Sequence, residues 1–132
     1  MKQQLFKMSA TALIEMFQKK ETNTLEVSLE VIQNLKKNNK KINAFVDYDE
    51  YKIIEQAKAS SARWDKKKII GLLDGVPISI KDLIITKDYS TKRGSYVESI
   101  PVINERDAPV VTKIKNHGGV ILGKTTTPEF GH

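Results

Sequence analysis

The chain has no cysteine, which excludes disulfides and thiolate-held metals and points to a reducing, cytoplasmic setting. Its two histidines, His117 and His132, stand far from any paired carboxylates, so neither a zinc site nor any other metal or cofactor is expected. No stretch reaches eighteen consecutive apolar residues, and Met1 to Met8 holds lysines without a signal-type apolar run. Neither membrane spanning nor secretion is expected from that pattern. Aromatic residues make up only 7% of the chain, and they are not interleaved with the basic clusters as base stacking requires.

What remains is ordinary for one globular unit: 132 residues, 39% of them hydrophobic, enough for a single core. The net charge of +6 raises the question of a polyanionic partner. The lysines fall in short clusters, Lys36-Lys37, Lys40-Lys41 and Lys66-Lys67-Lys68, on stretches that read as helix ends and loops. Cations there complement the helix dipole. No nucleic-acid partner is therefore expected, although a basic module binding RNA or an acidic protein is the alternative reading.

Along the chain, Ser9 caps a short amphipathic helix to Lys20 that presents Leu13, Ile14 and Phe17. A second helix, Thr24 to about Lys37, places Leu25, Leu29, Ile32 and Leu35 at helical spacing, with Glu26 in its first turn. The polar Asn38-Asn39-Lys40-Lys41 stretch reads as a connection, and Ile42 to Val46 as a short extended or turn-like run. A third helix, roughly Asp49 to Trp64, offers Ile53, Ile54, Ala57 and Ala62 to a core. From Ile69 the character changes. An Asp74-Gly75 turn leads into a strand from about Val76 to Lys81, where Pro77 calls for a strand edge, a strand start or a bulge. Thr86 to Arg106 reads as a long connection. Asp107 then caps a helix carrying Val110, Val111 and Ile114, which Gly118-Gly119 ends. Val120-Ile121-Leu122 is a short buried strand. The resulting class is α/β, with N-terminal helices (1–68) followed by a strand, loop, helix and strand segment (69–132), and with too few strands for a complete sheet.

Lys81 is the residue that most needs explaining, because desolvating a cation at the end of an apolar strand is costly. It can reach solvent along its stem, pair with Asp82, or serve as a functional amine. Ser79, two residues earlier, falls on the same strand face. Gly118 to Thr125 matches the phosphate-loop pattern G-x-x-x-x-G-K-[ST] literally. That motif needs a strand before it and a helix after it, and here the order is reversed, with Thr126-Thr127-Pro128 opposing a helix. No nucleotide site is expected there. The Ser-x-x-Lys with Lys-Thr-Gly of penicillin-binding enzymes is missing. His117 reads as a helix-end residue, and His132 is terminal.

Several elements together resemble one family. Leu72 with Gly75-Val76-Pro77-Ile78, then Ile80-Lys81-Asp82, Thr91 with Gly94-Ser95, Asp107-Ala108 with Val111, and Gly119 to Thr125 followed by Pro128-Glu129-Phe130-Gly131 occur in an order and spacing similar to the amidase signature family. Ile42-Asn43-Ala44-Phe45-Val46 resembles its Asn-Ala-Phe element. These serine hydrolases include bacterial and plant amidases, fatty-acid amide hydrolase and the amidase component of glutamyl-tRNA(Gln) amidotransferase.

By that resemblance the chain is the N-terminal portion of a single amidase domain, an incomplete piece of the amidase signature fold. Such an enzyme cleaves carboxylic amides to carboxylate and ammonia through a Ser-cisSer-Lys triad. Lys81 matches the lysine, the base that takes the nucleophile's proton through the bridging serine. The family's serines lie downstream of the Glu-Phe-Gly element; Ser79, Ser90 and Ser95 match neither, so no serine is carried over. The implied partner is a small-molecule amide, with homodimer or amidotransferase-type assembly left open, and the 132 residues alone are expected to be inactive. Asp88, where many members have glycine, and the charged Lys92 and Arg93 depart from the pattern. Thr126-Thr127-Pro128-Glu129-Phe130 tilts the expected substrate toward small or aryl amides.

Overall fold

The computed structural model describes residues 4–97 and 106–132. After a 3₁₀ turn, Leu5–Lys7, come α1 (Ala10–Gln18), α2 (Thr24–Ile42), β1 (Phe45–Asp47), α3 (Glu50–Asp65), β2 (Pro77–Lys81), α4 (Pro109–Asn116), β3 (Val120–Thr125) and a closing 3₁₀ turn, Glu129–Gly131. The strands form one mixed sheet in the order β1-β3-β2. β3 runs antiparallel to β1 and parallel to β2. The parallel pair requires a crossover, and α4 lies within it.

Side-chain oxygens start the first three helices. Ser9 accepts from the Ala12 N–H at 3.2 Å, Asn23 from Glu26 at 2.9 Å and Asp49 from Lys52 at 3.1 Å, each satisfying an otherwise orphaned donor. α2 does not stop near Lys37: the expected connection Asn38 to Lys41 is its last turns, closed by Asn43 in the left-handed region. The asparagines act as clamps there. The Asn39 side chain donates to Phe45 O at 3.0 Å and accepts from Phe45 N at 2.8 Å, so its polarity ties helix to strand.

Three expected core positions also move, one of them Val110 of α4, which is 49% exposed. Leu29 is 40% exposed, while Val27 and Ser28 of α2 are buried; the helix rolls toward α1, where Val27 joins Leu13 and Phe17. Ala62 is exposed, and Ser60 turns inward instead. Asp107 is not the cap of α4. Ala108 holds that position without a side-chain bond, and Asp107 instead accepts from the Lys87 N–H and pairs with Lys115, both at 2.6 Å. Pro109 at the first position of α4 needs no donor partner.

β3 is buried on both faces, as the central strand of a sheet covered on both sides must be. Val120 and Leu122 pack with Ile32 and Ile53 under α2 and α3. On the opposite face Ile121 meets Ile80, Tyr89 and Val111. Burial pushes the Tyr89 phenol up to about 12. The parallel register slips between Ile78 and Ser79: Ile78 pairs with Ile121, and Ser79 with Gly123. Leu122 is thus the extra residue of a bulge. Gly123 has φ +139°, and a Cβ there would lie 2.3 Å from Asp47 O. Glycine lets the β1 backbone close against the bulge.

Candidate active site

The end of β2 is where the chemistry-bearing residues gather. The parallel register sets Ile80 beside Lys124 and Lys81 beside Thr125. Lys81 is exposed, and its side chain makes no hydrogen bond or ion pair with any described residue. Its backbone, by contrast, is held, with the Lys81 carbonyl accepting from the Ile84 N–H at 2.9 Å.

Asp82 does not pair with Lys81. It is 1% exposed and meets the ammonium of Lys124 at 3.3 Å. Its carboxylate also accepts from the backbone N–H groups of Lys92, at 3.3 Å, and Gly94, at 3.4 Å. Its own N–H donates to Thr125 O, and its carbonyl accepts from Arg93 N, both at 3.0 Å. One residue therefore fastens the strand end to β3 and to the loop at 91–94.

Lys124 is the functional-looking residue that sequence reasoning passes over. It is 0% exposed. Its Nζ donates to Ile84 O at 2.9 Å and Thr91 Oγ1 at 2.7 Å and forms an ion pair with Asp82 Oδ1 at 3.3 Å. Burial lowers this ammonium below the ordinary lysine range, against the opposing pull of Asp82. The signal is a lysine ending the buried run Val120-Ile121-Leu122-Gly123, visible inside the phosphate-loop match. The pattern is thus a central strand with its lysine turned into the protein, and its backbone is spent on sheet pairing.

The loop and the chain's last turn flank the strand end. Arg93 and Gly94 both have positive φ, and a Cβ on Gly94 would sit 2.5 Å from Thr127 O. Phe130 N donates to Arg93 O at 2.8 Å, and Ser95 Oγ donates to Glu129 Oε1 at 2.7 Å. Ser79 is exposed on β2, and Ser90 is exposed in the loop. No two serines meet Lys81 among the described residues. His117 closes α4, its Nδ1 accepting weakly from Leu72 N at 3.4 Å, and His132 follows the last 3₁₀ turn. Among the described residues no three His, Asp or Glu side chains converge as a metal would need, and no helix is long and apolar enough to cross a membrane. An open cleft of 530 Å³ between the N-terminal helices is lined by Phe17, Glu21, Glu26, Trp64 and Lys67, not by the strand-end residues.

The amidase family model matches residues 26–132; the chain belongs to the amidase family. It is 36% identical over 121 residues to the matching glutamyl-tRNA(Gln) amidotransferase subunit of Clostridium botulinum, covering 92% of this chain and 25% of that one. Among solved structures, the chain superposes with a TM-score of 0.86 and 25% identity on an inhibitor-bound member of a vestigial complex tied to the origins of an s-triazine catabolic enzyme. That match covers 93% of this chain and 27% of the other. Against the peptide amidase of Stenotrophomonas maltophilia the TM-score is 0.85 at 20% identity, covering 94% and 26%. The chain thus spans about a quarter of the length of the relatives it matches.

Proposed function

We propose that these 132 residues supply the lysine arm of an amide-hydrolysing site, within a single amidase domain whose serines lie outside residues 1–132. Lys81 is the base. In its neutral form it takes the proton of the nucleophilic serine through a bridging serine. The serine oxygen attacks the amide carbonyl, and the proton passes to the leaving nitrogen, which departs as ammonia. Water then releases the carboxylate. The single observation that supports this role is the contrast at the end of β2: a lysine with a fixed backbone and an unengaged side chain, next to an aspartate wholly engaged elsewhere.

The test is ammonia release from simple carboxylic amides by the chain continued through the serine-bearing segment. Hydrolysis should fall by about a thousandfold in Lys81→Ala, the scale of a lost general base. An undiminished rate in that variant overturns the assignment. Residues 1–132 alone should release no ammonia.

A second reading is supported by the 36% identity to an amidotransferase component: the amide nitrogen is transferred to an acceptor rather than released. Glutamine turnover that yields free ammonia only in the absence of an acceptor would favour it over simple hydrolysis.

A further inference from the structure

A lysine that must lose its proton is poorly served by an adjacent aspartate, because a nearby anion favours the ammonium. Lys81-Asp82 is such a pair in sequence, and the structure contains the remedy. The Asp82 carboxylate is directed into the protein, onto the Lys124 ammonium and the N–H groups of the loop, and its residue is 1% exposed. Lys124 in turn is held by two further acceptors from two parts of the loop, Ile84 O and Thr91 Oγ1. Its side chain is 0% exposed.

We propose that Lys124 is a positioning residue that acts through Asp82: it neutralises the carboxylate next to Lys81 and so leaves the Lys81 amine free to act as a base. The proposal rests on the reading of Lys81 given above. It explains why an otherwise apolar strand carries a buried cation, which an aliphatic residue would replace without desolvation cost if only packing were at stake.

Other charged residues belong to the elements packed around this strand end. From β1, Asp47 stands opposite Lys124 in register, and its charge acts on that ammonium. From the loop come Lys92 and Arg93, whose backbones bind Asp82. From the last 3₁₀ turn comes Glu129, which Ser95 engages. Only Lys124 makes a direct ion pair with Asp82 among the described residues.

The effect is read directly on the 132-residue chain by NMR titration of lysine side chains labelled at Cε, with the Lys81 signal assigned by its loss in Lys81→Arg. Lys124→Gln keeps a hydrogen-bond donor but removes the charge, and should move the Lys81 midpoint up by about half a pH unit at low ionic strength. Asp82→Asn leaves Lys124 uncompensated and should move it down by a similar amount. The opposite signs are the signature. If one variant loses the native amide spectrum, the sign of the other decides. A Lys81 midpoint unmoved in a folded variant, or moved the wrong way, overturns the proposal. That outcome is distinct from failure of the Lys81 assignment, which shows as a fully active Lys81→Ala in the hydrolysis assay.

Discussion

Lys124 Nζ lies 3.3 Å from Asp82 Oδ1, with the two side chains 0% and 1% exposed, at the point where the parallel strands end. A pair this deep is costly to break from one side, because the survivor keeps its charge without a partner. Lys124→Ala should destabilise the chain by about 4 kcal/mol. Replacing both members, Asp82→Asn with Lys124→Met, should cost clearly less than Asp82→Asn and Lys124→Met made singly and summed. Urea unfolding of the four forms gives the coupling; simple additivity would mean that the pair is not a unit.

Asp74 makes a second buried carboxylate knot. Burial would raise its carboxyl, but the Arg63 fork at 2.7 and 2.8 Å, Ser60 at 2.6 Å and the Ile70 N–H at 3.0 Å hold it below the usual range. The unfolded chain therefore takes up this proton at a higher pH than the folded one. Its contribution is complete above about pH 4 and is lost as the pH falls further. Asp74→Asn should flatten the acid limb of the stability curve and lower stability at pH 7. An acid limb as steep as before would contradict this account of the knot.

Gly75, with φ +88°, is packed so closely that a Cβ would fall 2.1 Å from Thr24 Cγ2. Thr24 is itself fixed by its hydroxyl bond to Ala57 O at 2.6 Å. Gly75→Ala combines a left-handed backbone with a clash and should cost about 3 kcal/mol or more. A substitution at an exposed site, Ser90→Ala, should stay within about 0.5 kcal/mol. Thermal unfolding of the two variants checks the difference.

The phosphate-loop match should bind nothing. The backbone of Val120 to Thr125 is engaged in sheet pairing, and the lysine faces inward, so no nest of free N–H groups faces solvent. Adding ATP with magnesium should leave the amide signals of residues 118–125 unmoved. Saturable shifts confined to that run would overturn this conclusion.

The helices, the two main strands and the α/β class are legible because capping residues and apolar spacing act locally: Ser9 starts its helix, and Gly118 follows the end of its own. What stays hidden depends on partners distant in sequence. Asn38-Asn39 looks like a linker because the Phe45 groups that Asn39 binds cannot be seen from the helix itself. Asp107 looks like a cap because its true partner, Lys115, stands near the far end of the helix and competes for its carboxylate. Lys81 is legible as the lysine ending an apolar strand, but the pairing with Asp82 open to it does not form. The cation that Asp82 takes instead, Lys124, arrives only through the parallel register. Motif matching sets Lys124 aside with the phosphate loop, before burial can be weighed.

Lys81→Ala is the measurement that bears most directly on the central claim. The side chain is exposed and unpartnered among the described residues, so its truncation should change the stability of residues 1–132 by no more than about 0.5 kcal/mol. In the chain continued through the serine-bearing segment the same change should remove about three orders of magnitude of amide hydrolysis. Stability retained with activity lost is the predicted result. Hydrolysis at the unsubstituted rate in folded Lys81→Ala would contradict the account.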